Sequence, residues 1–305
     1  MDVGERSFGH HAVHVLVGPT AAGKSEIAMR IAGQLDAEIL SVDSMQVYRG
    51  MDIGTAKPSL QDRHEVPHHM IDLVEPDREY SVADFQRKGR QVIEAIHGRG
   101  RAVLVVGGSG LHMRALLDPL EFPPYDAVIR GQVEAMEPGA ASVELLQLDP
   151  AAGDHVDLAN PRRVSRALEV AKLGAGLPSE RARRPEVQAV RDYQPLIPFR
   201  GVTLDPGDGL ATRARRRIDK MLKLGLEAEV AGLADRLGRT AAQAVGYKEL
   251  LPVVRGEEHL SNGAADVLTN TLALARRQRT FFNRDPRLEP IPWVSVTDDR
   301  VQKVL

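Results

Sequence analysis

Apolar residues along this chain alternate between two patterns. Short runs of β-branched and aliphatic residues, at 12–17 (AVHVLV), 38–42, 102–106 and 199–204, each stop at glycine, proline or aspartate. Between and after them apolar residues recur at three- and four-residue intervals, as in Ile27, Ala28, Ile31, Ala32 and Leu35, then over 111–117, 210–237 and 264–282. The first pattern predicts strands apolar on both faces, the second amphipathic helices. Alternating buried strands and helices predict an α/β fold, a parallel sheet covered on both sides, with ligands bound beyond the carboxyl ends of its strands. The loops starting at Gly18, Asp43 and Gly107 all fall at such ends. Prolines between Pro119 and Pro124 break the rhythm, and the stretch to about residue 190 holds helical fragments, the turn signal Pro138-Gly139 and the basic RARRP at 181–185. The organisation predicted is a core of residues 1–121 and 195–305 carrying an inserted, mainly helical subdomain at 122–194.

Charge changes this picture locally. The net charge is only −2, but residues 160–220 hold 14 lysines and arginines against seven acidic residues. That bias suits a polyanion larger than a mononucleotide, or equally a set of solvated helix faces. The absence of cysteine removes disulfide, thiolate-metal and cysteine-nucleophile chemistry. No run of 18 apolar residues and no signal-peptide pattern occurs, so the expectation is a cytosolic protein without membrane spans. His10-His11 near the start of the chain and His68-His69, read as a loop after Pro67, lack the partners a metal site needs.

The strongest chemical signal is Gly18-Pro19-Thr20-Ala21-Ala22-Gly23-Lys24-Ser25, a G-x-x-x-x-G-K-S phosphate loop between a predicted strand and helix. Its glycines let backbone N–H groups wrap phosphates, Lys24 adds a point charge, and the Ser25 hydroxyl suits Mg²⁺. The loop alone leaves kinase, NTPase and phosphate-donor transferase reactions open. Asp43, just past the second strand, can hold a metal, accept a proton, or simply cap a turn. Aromatic residues that could stack on bases are few, with Tyr48, Tyr247, Phe281 and Phe282 the candidates, and core packing competes for each.

Seven blocks occur in one order: GPTAAGKS (18–25), SVDSMQVYRGMDIGTAKP (41–58), YSVADF (80–85), VGGSGL (106–111), NPRRVSRALEV (160–170), AVGYKEL (244–250) and ARRQRTFF (275–282). Together they resemble the bacterial tRNA dimethylallyltransferases, also called tRNA isopentenyltransferases. The resemblance implies a P-loop NTPase-like fold, Mg²⁺, and transfer of a dimethylallyl group from dimethylallyl diphosphate to N6 of the adenosine next to the tRNA anticodon (position 37). It makes residues 18–25, with Arg213 and Arg217, the diphosphate site, and Asp43, Ser109 and Lys24 the catalytic set with Asp43 as general base. It also gives tRNA contacts to Asp43, Ser44, Met45, Gln46, Ser109, Arg130, Arg162, Arg163, Val164, Ser165 and Arg166, and it implies a monomer. Four features depart from the family pattern: Ser109 stands for a usual threonine, His112 for a common tyrosine, Arg215 for a usual aspartate, and the run Ala159-Asn160-Pro161 for N-D-P. A small-molecule enzyme acting on free nucleotides and a non-catalytic RNA-binding module remain as rivals.

Overall fold

The computed structural model describes residues 12–137, 139–292, 301 and 305. The chain divides into two compact units, Met1–Leu117 with Ile197–Leu305, and Asp118–Leu196. His10 and His11 lie outside the described residues.

The first unit is built on six strands: β1 (Val13–Val17), β2 (Ala37–Val42), β3 (His68–His69), β4 (Ala102–Gly107), β5 (Arg200–Asp205) and β6 (Leu288–Pro292). They pair in the order β3-β2-β4-β1-β5-β6, every pair parallel. Successive side chains of a strand point to opposite faces, and here both faces are apolar. Val13, Val15 and Val17 of β1 join Leu40, Val42, Val103 and Val105 in one core. Leu16 joins Ile39, Leu104 and Val106 in the other. Helix α1 (Lys24–Ala32) covers the second face with Ile27, Ala28, Ile31 and Ala32. On the first face lie α3 (Val82–Gly98) and α4 (Gly110–Leu117), after the short α2 (Leu60–Glu65). Truncating a side chain such as Leu104, buried on this sheet, costs about 2–5 kcal/mol.

The second unit contains α5 (Ala127–Glu134), α6 (Ala140–Leu148), α7 (Pro161–Lys172), α8 (Pro178–Ala182) and α9 (Pro185–Arg191) around a small core of Val133, Leu145, Ala152, Val164 and Leu168. Pro161 opens α7, and the Asn160 side chain caps it by accepting from the Arg163 N–H. Back in the first unit come α10 (Leu210–Lys223), α11 (Leu226–Leu233), α12 (Tyr247–Val254) and α13 (Leu260–Phe282).

Three local expectations change. The helix expected over 210–237 is two helices, because Gly225 takes φ 97° between them, a left-handed step that ends α10. His68-His69 is a sheet edge, not a loop, and His69 Nε2 lies 2.6 Å from buried Glu38, which Arg99 also pairs at 2.6 Å. β6 was unforeseen because prolines interrupt LEPIP, which only an edge strand tolerates.

Candidate active site

The loops after β1, β2 and β4 bring the site together. After β1, Gly18 adopts φ 147°, and a Cβ there would sit 2.6 Å from the Leu204 carbonyl oxygen on β5, so only glycine fits. Gly23 takes φ 81° and Ala21 φ 61°, folding the loop back before α1. Neighbouring elements hold this shape from outside. The Gln278 Oε1 of α13 accepts the Thr20 N–H at 2.8 Å, and Arg213 Nε of α10 donates to the Ala21 carbonyl at 2.7 Å. Pro19 and Ala22 are buried and shape the loop, while Thr20, Gly23 and Lys24 are half-buried and Ser25 is exposed.

Lys24 Nζ donates to the Pro19 carbonyl at 2.8 Å. Burial, then repulsion from Arg217, pull its pKa down to about 7 against the opposing attraction of Asp43. Arg217 is also held below its ordinary value by burial, and Asp43 partly offsets this. The Arg217 guanidinium makes no hydrogen bond or ion pair with any described residue. Two crowded cations with so little internal compensation form a site that gains from a bound anion.

After β2, Asp43 does two things at once. Its Oδ1 accepts from the Met45 and Gln46 N–H groups at 2.8 and 3.3 Å, the turn-capping role. Its Oδ2 accepts from no described donor. Gln46, expected to touch tRNA, has its side chain committed internally: Oε1 accepts from Ser41 Oγ at 2.8 Å and Nε2 donates to the Thr55 carbonyl at 3.2 Å. The rest of this block is braced from below. Glu229 of α11 accepts the N–H groups of Asp52, Ile53 and Gly54 as well as the Tyr247 hydroxyl. Lys57, almost wholly buried, bridges Asp52 and Asp72.

After β4, a Cβ at Gly108 would meet Gln278 Nε2 at 2.6 Å, and one at Gly110 would meet the Phe281 ring at 2.1 Å. These glycines let α13 close over the loop. Ser109 Oγ lies 2.7 Å from His112 Nδ1.

Two cavities meet here. One, of about 550 Å³, is lined by Lys24, Ser25, Ser41 and Lys57. The other, of about 320 Å³, has Ser44, Met45 and Ser109 at its rim and Ile218, Met221, Leu226, Val267 and Leu274 among its walls. Thr20, Asp43, Thr55, Gly108, Arg217 and Gln278 line both. The arrangement therefore joins a cationic, N–H-rich cradle to an apolar chamber, with one carboxylate at the junction. Ser25 and Asp43 supply hard oxygen ligands to the polar cavity; this donor chemistry fits Mg²⁺, which takes few protein ligands and completes its shell with phosphate and water. Among the described residues no cluster of three or more histidines or carboxylates forms a metal cage.

Of the aromatic candidates, Tyr48, Tyr247 and Phe282 are fully buried and serve the core, whereas Phe281 is partly exposed on the apolar chamber. The sequence assigned no role to Gln278 or Glu229. The one available signal was Gln278 standing as the single amide in a run of arginines.

In the helical unit, Arg162 and Arg163 are exposed on α7, and Ser165 is half-buried. Val164 turns inward and is only 3% exposed, so the run 162–166 is not one continuous contact surface. Arg166 donates to the Pro123 carbonyl and pairs with buried Glu169 at 2.7 Å. Arg130 pairs with Glu134 at 2.8 Å and sits over the exposed Tyr125 ring, 5.5 Å from its centre.

A glycine-shaped phosphate loop on an all-parallel sheet, opening onto an apolar chamber, defines a P-loop-type α/β protein suited to a diphosphate with an apolar tail. More particularly, the chain belongs to the IPP transferase family, whose profile matches residues 46–285, while an isopentenyl transferase profile matches residues 11–72. It is 40% identical to the tRNA dimethylallyltransferase of Pseudarthrobacter chlorophenolicus over 94% of this chain and 95% of that one. It is 42% identical to the tRNA dimethylallyltransferase of Acidothermus cellulolyticus over 94% and 89%. Among solved structures it resembles the tRNA isopentenylpyrophosphate transferase of Bacillus halodurans, with 33% identity, a TM-score of 0.70, and coverage of 96% of this chain and 94% of that one. A eukaryotic dimethylallyltransferase acting on tRNA matches with 25% identity and a TM-score of 0.78, over 93% of this chain and 74% of that one.

Proposed function

We infer that the protein transfers a dimethylallyl group from dimethylallyl diphosphate to N6 of the adenosine adjacent to the anticodon (position 37) of tRNA, releasing diphosphate. The observation that carries this is the meeting of the phosphate cradle and the apolar chamber at Asp43 and Arg217. A nucleotide kinase needs a cradle but no apolar chamber beside its reacting phosphate.

The donor's diphosphate lies in the loop 18–25, against its backbone N–H groups, Lys24, Arg213 and Arg217, and the five-carbon chain lies in the chamber. The N6 lone pair forms a bond to the allylic carbon as the carbon–oxygen bond breaks, and that electron pair leaves with diphosphate. Lys24 and Arg217 stabilise the charge developing on the leaving oxygen, a demand met best by cations already fixed in place. Asp43 Oδ2 takes the N6 proton while Oδ1 stays tied to the turn, which keeps the carboxylate aimed. Ser25 would hold Mg²⁺, and the ion would supply further positive charge at the leaving group.

Ser44 and Met45 rim the chamber beside Asp43 and contact the tRNA there, with Gln46 bracing that turn from inside. The anticodon arm is held through its phosphates by the exposed Arg162 and Arg163, with Arg130, Ser165 and Arg166 beside them and Val164 anchoring their helix. The target adenine must leave its stack to reach the chamber. A tRNA acceptor makes the cytoplasm the working compartment, and the protein works there as a monomer. Among the described residues no helix is long and apolar enough to cross a membrane.

The test offers labelled dimethylallyl diphosphate with unmodified tRNA, with AMP, ADP or ATP, and with no acceptor. Label on tRNA alone is the expected result. Label on a free nucleotide shifts the reading to a small-molecule isopentenyltransferase, and tRNA binding without transfer shifts it to an RNA-binding module.

A further inference from the structure

We propose that His112 is a positioning residue: its Nδ1 accepts the Ser109 hydroxyl proton, so that the Ser109 oxygen presents its lone pairs to the chamber and accepts the second N6–H of the incoming adenine. This inference rests on the prenyl-transfer reading and deepens it.

Three serines stand immediately before helices of the first unit. Ser59 and Ser81 cap in the usual way, each Oγ accepting the backbone N–H three residues on, from Asp62 and Asp84, at 3.1 Å. Ser109 precedes α4 in the same register, yet its Oγ caps no backbone group. It pairs with the imidazole of the residue three positions on, at 2.7 Å. The Ser109 proton has no other described acceptor, so donation to Nδ1 satisfies it and leaves the oxygen's lone pairs facing the chamber that Ser109 and Asp43 both line.

The imidazole is built into its place. His112 is 7% exposed, and its ring meets Phe85 of α3 edge to face with centres 4.6 Å apart. Burial holds its pKa down at about 4 against the pull of Asp43, so the ring is neutral at physiological pH and one nitrogen is an acceptor. An exocyclic amine carries two protons. Asp43 removes one in the reaction, and a second acceptor fixes the rotation of the amine so that its lone pair points at the allylic carbon. Such orientation acts on the chemical step more than on binding.

The test compares His112→Phe, His112→Asn, Ser109→Ala and the double variant Ser109→Ala/His112→Phe with the unaltered protein in steady-state transfer to tRNA. His112→Phe keeps the aromatic packing and removes the acceptor. It is expected to lower kcat by about tenfold with both KM values within about twofold. Ser109→Ala is expected to match it, and the double variant to fall no further, since both remove one device. His112→Asn, whose side-chain oxygen can replace Nδ1, is expected to recover most of the rate. In the unaltered protein, ¹⁵N spectra should show His112 protonated on Nε2 alone, a readout independent of activity. Full kcat in His112→Phe, multiplicative losses in the double variant, or a proton on Nδ1 would each overturn the proposal. If the unaltered protein transfers nothing to tRNA, the functional reading fails instead, and the spectra still report on the pair.

Discussion

The two units hold their positive charge in opposite ways. In the first, Lys24 and Arg217 are drawn into cavities and left without carboxylate partners in hydrogen-bonding contact, so that burial lowers both pKa values. In the helical unit most basic residues are paired or exposed, Arg130 with Glu134, Arg166 with Glu169, Arg184 with Glu121 and Arg162 exposed, while Arg181 is half-buried with its pKa lowered by burial. Uncompensated charge beyond the carboxyl ends of the strands suits one compact anion, whereas paired and solvated charge suits a long polyanion whose phosphates add many small contributions. Substitutions should therefore be severe and specific in the first unit, and mild and salt-dependent in the second.

The sharpest break between the two should come at the junction. Asp43→Ala is expected to lower single-turnover transfer by about 10²–10⁴-fold while tRNA affinity stays within a few-fold. Unchanged turnover would remove Asp43 from the chemistry and leave it only the turn cap. Next in size, Arg217→Ala is expected to cost about 10²–10³-fold in kcat/KM for the donor with little change in tRNA binding. Equal losses for both substrates would mean the cradle had collapsed.

Lys24 offers a pH test of the same contrast. A bound diphosphate favours the ammonium form. Below its free pKa of about 7 that charge is already present, and donor affinity should be flat. As pH rises through that value, binding must take up a proton, and affinity should weaken by about tenfold per pH unit until Lys24's pKa in the complex is reached. Calorimetric titration of inorganic diphosphate across this range checks it as the difference in slope between the unaltered protein and Lys24→Met, because the ligand's own ionisation is common to both.

The smallest effects belong to the helical unit. Arg162→Ala and Arg163→Ala should each weaken tRNA binding several-fold and reduce the slope of log affinity against log salt by about one. Arg166→Ala should instead lower unfolding stability by about 2–3 kcal/mol, because it strips the partner from buried Glu169. A salt slope unaffected by Arg162 and Arg163 would dissolve the distinction drawn here.

What could be read from the residues follows the same physics. Strands apolar on both faces, and a glycine-punctuated loop between strand and helix, carry their signals locally, so β1, β2, β4, β5 and the cradle were legible. The edge strands β3 and β6 were not: one is two residues long and the other carries two prolines, and neither shows a two-sided apolar pattern. In the site, Asp43 was legible by its position after a strand and by family resemblance. Gln278 was not, since its bond to the Thr20 N–H spans 258 residues. Gln46 and Val164 turn their side chains inward, which contiguity in a motif does not reveal. On α7 the helical turn sends Val164 inward while Arg162 and Arg163 face solvent.

The central claim is that the cradle and the chamber serve one reaction at one nucleotide. It is tested most directly by digesting tRNA after incubation with dimethylallyl diphosphate and mapping the product by mass spectrometry, with the unaltered protein and with Asp43→Ala. The account expects a single N6-dimethylallyladenosine next to the anticodon, formed by the unaltered protein and absent with Asp43→Ala. Prenylation elsewhere in the tRNA, or an undiminished product with Asp43→Ala, would contradict it.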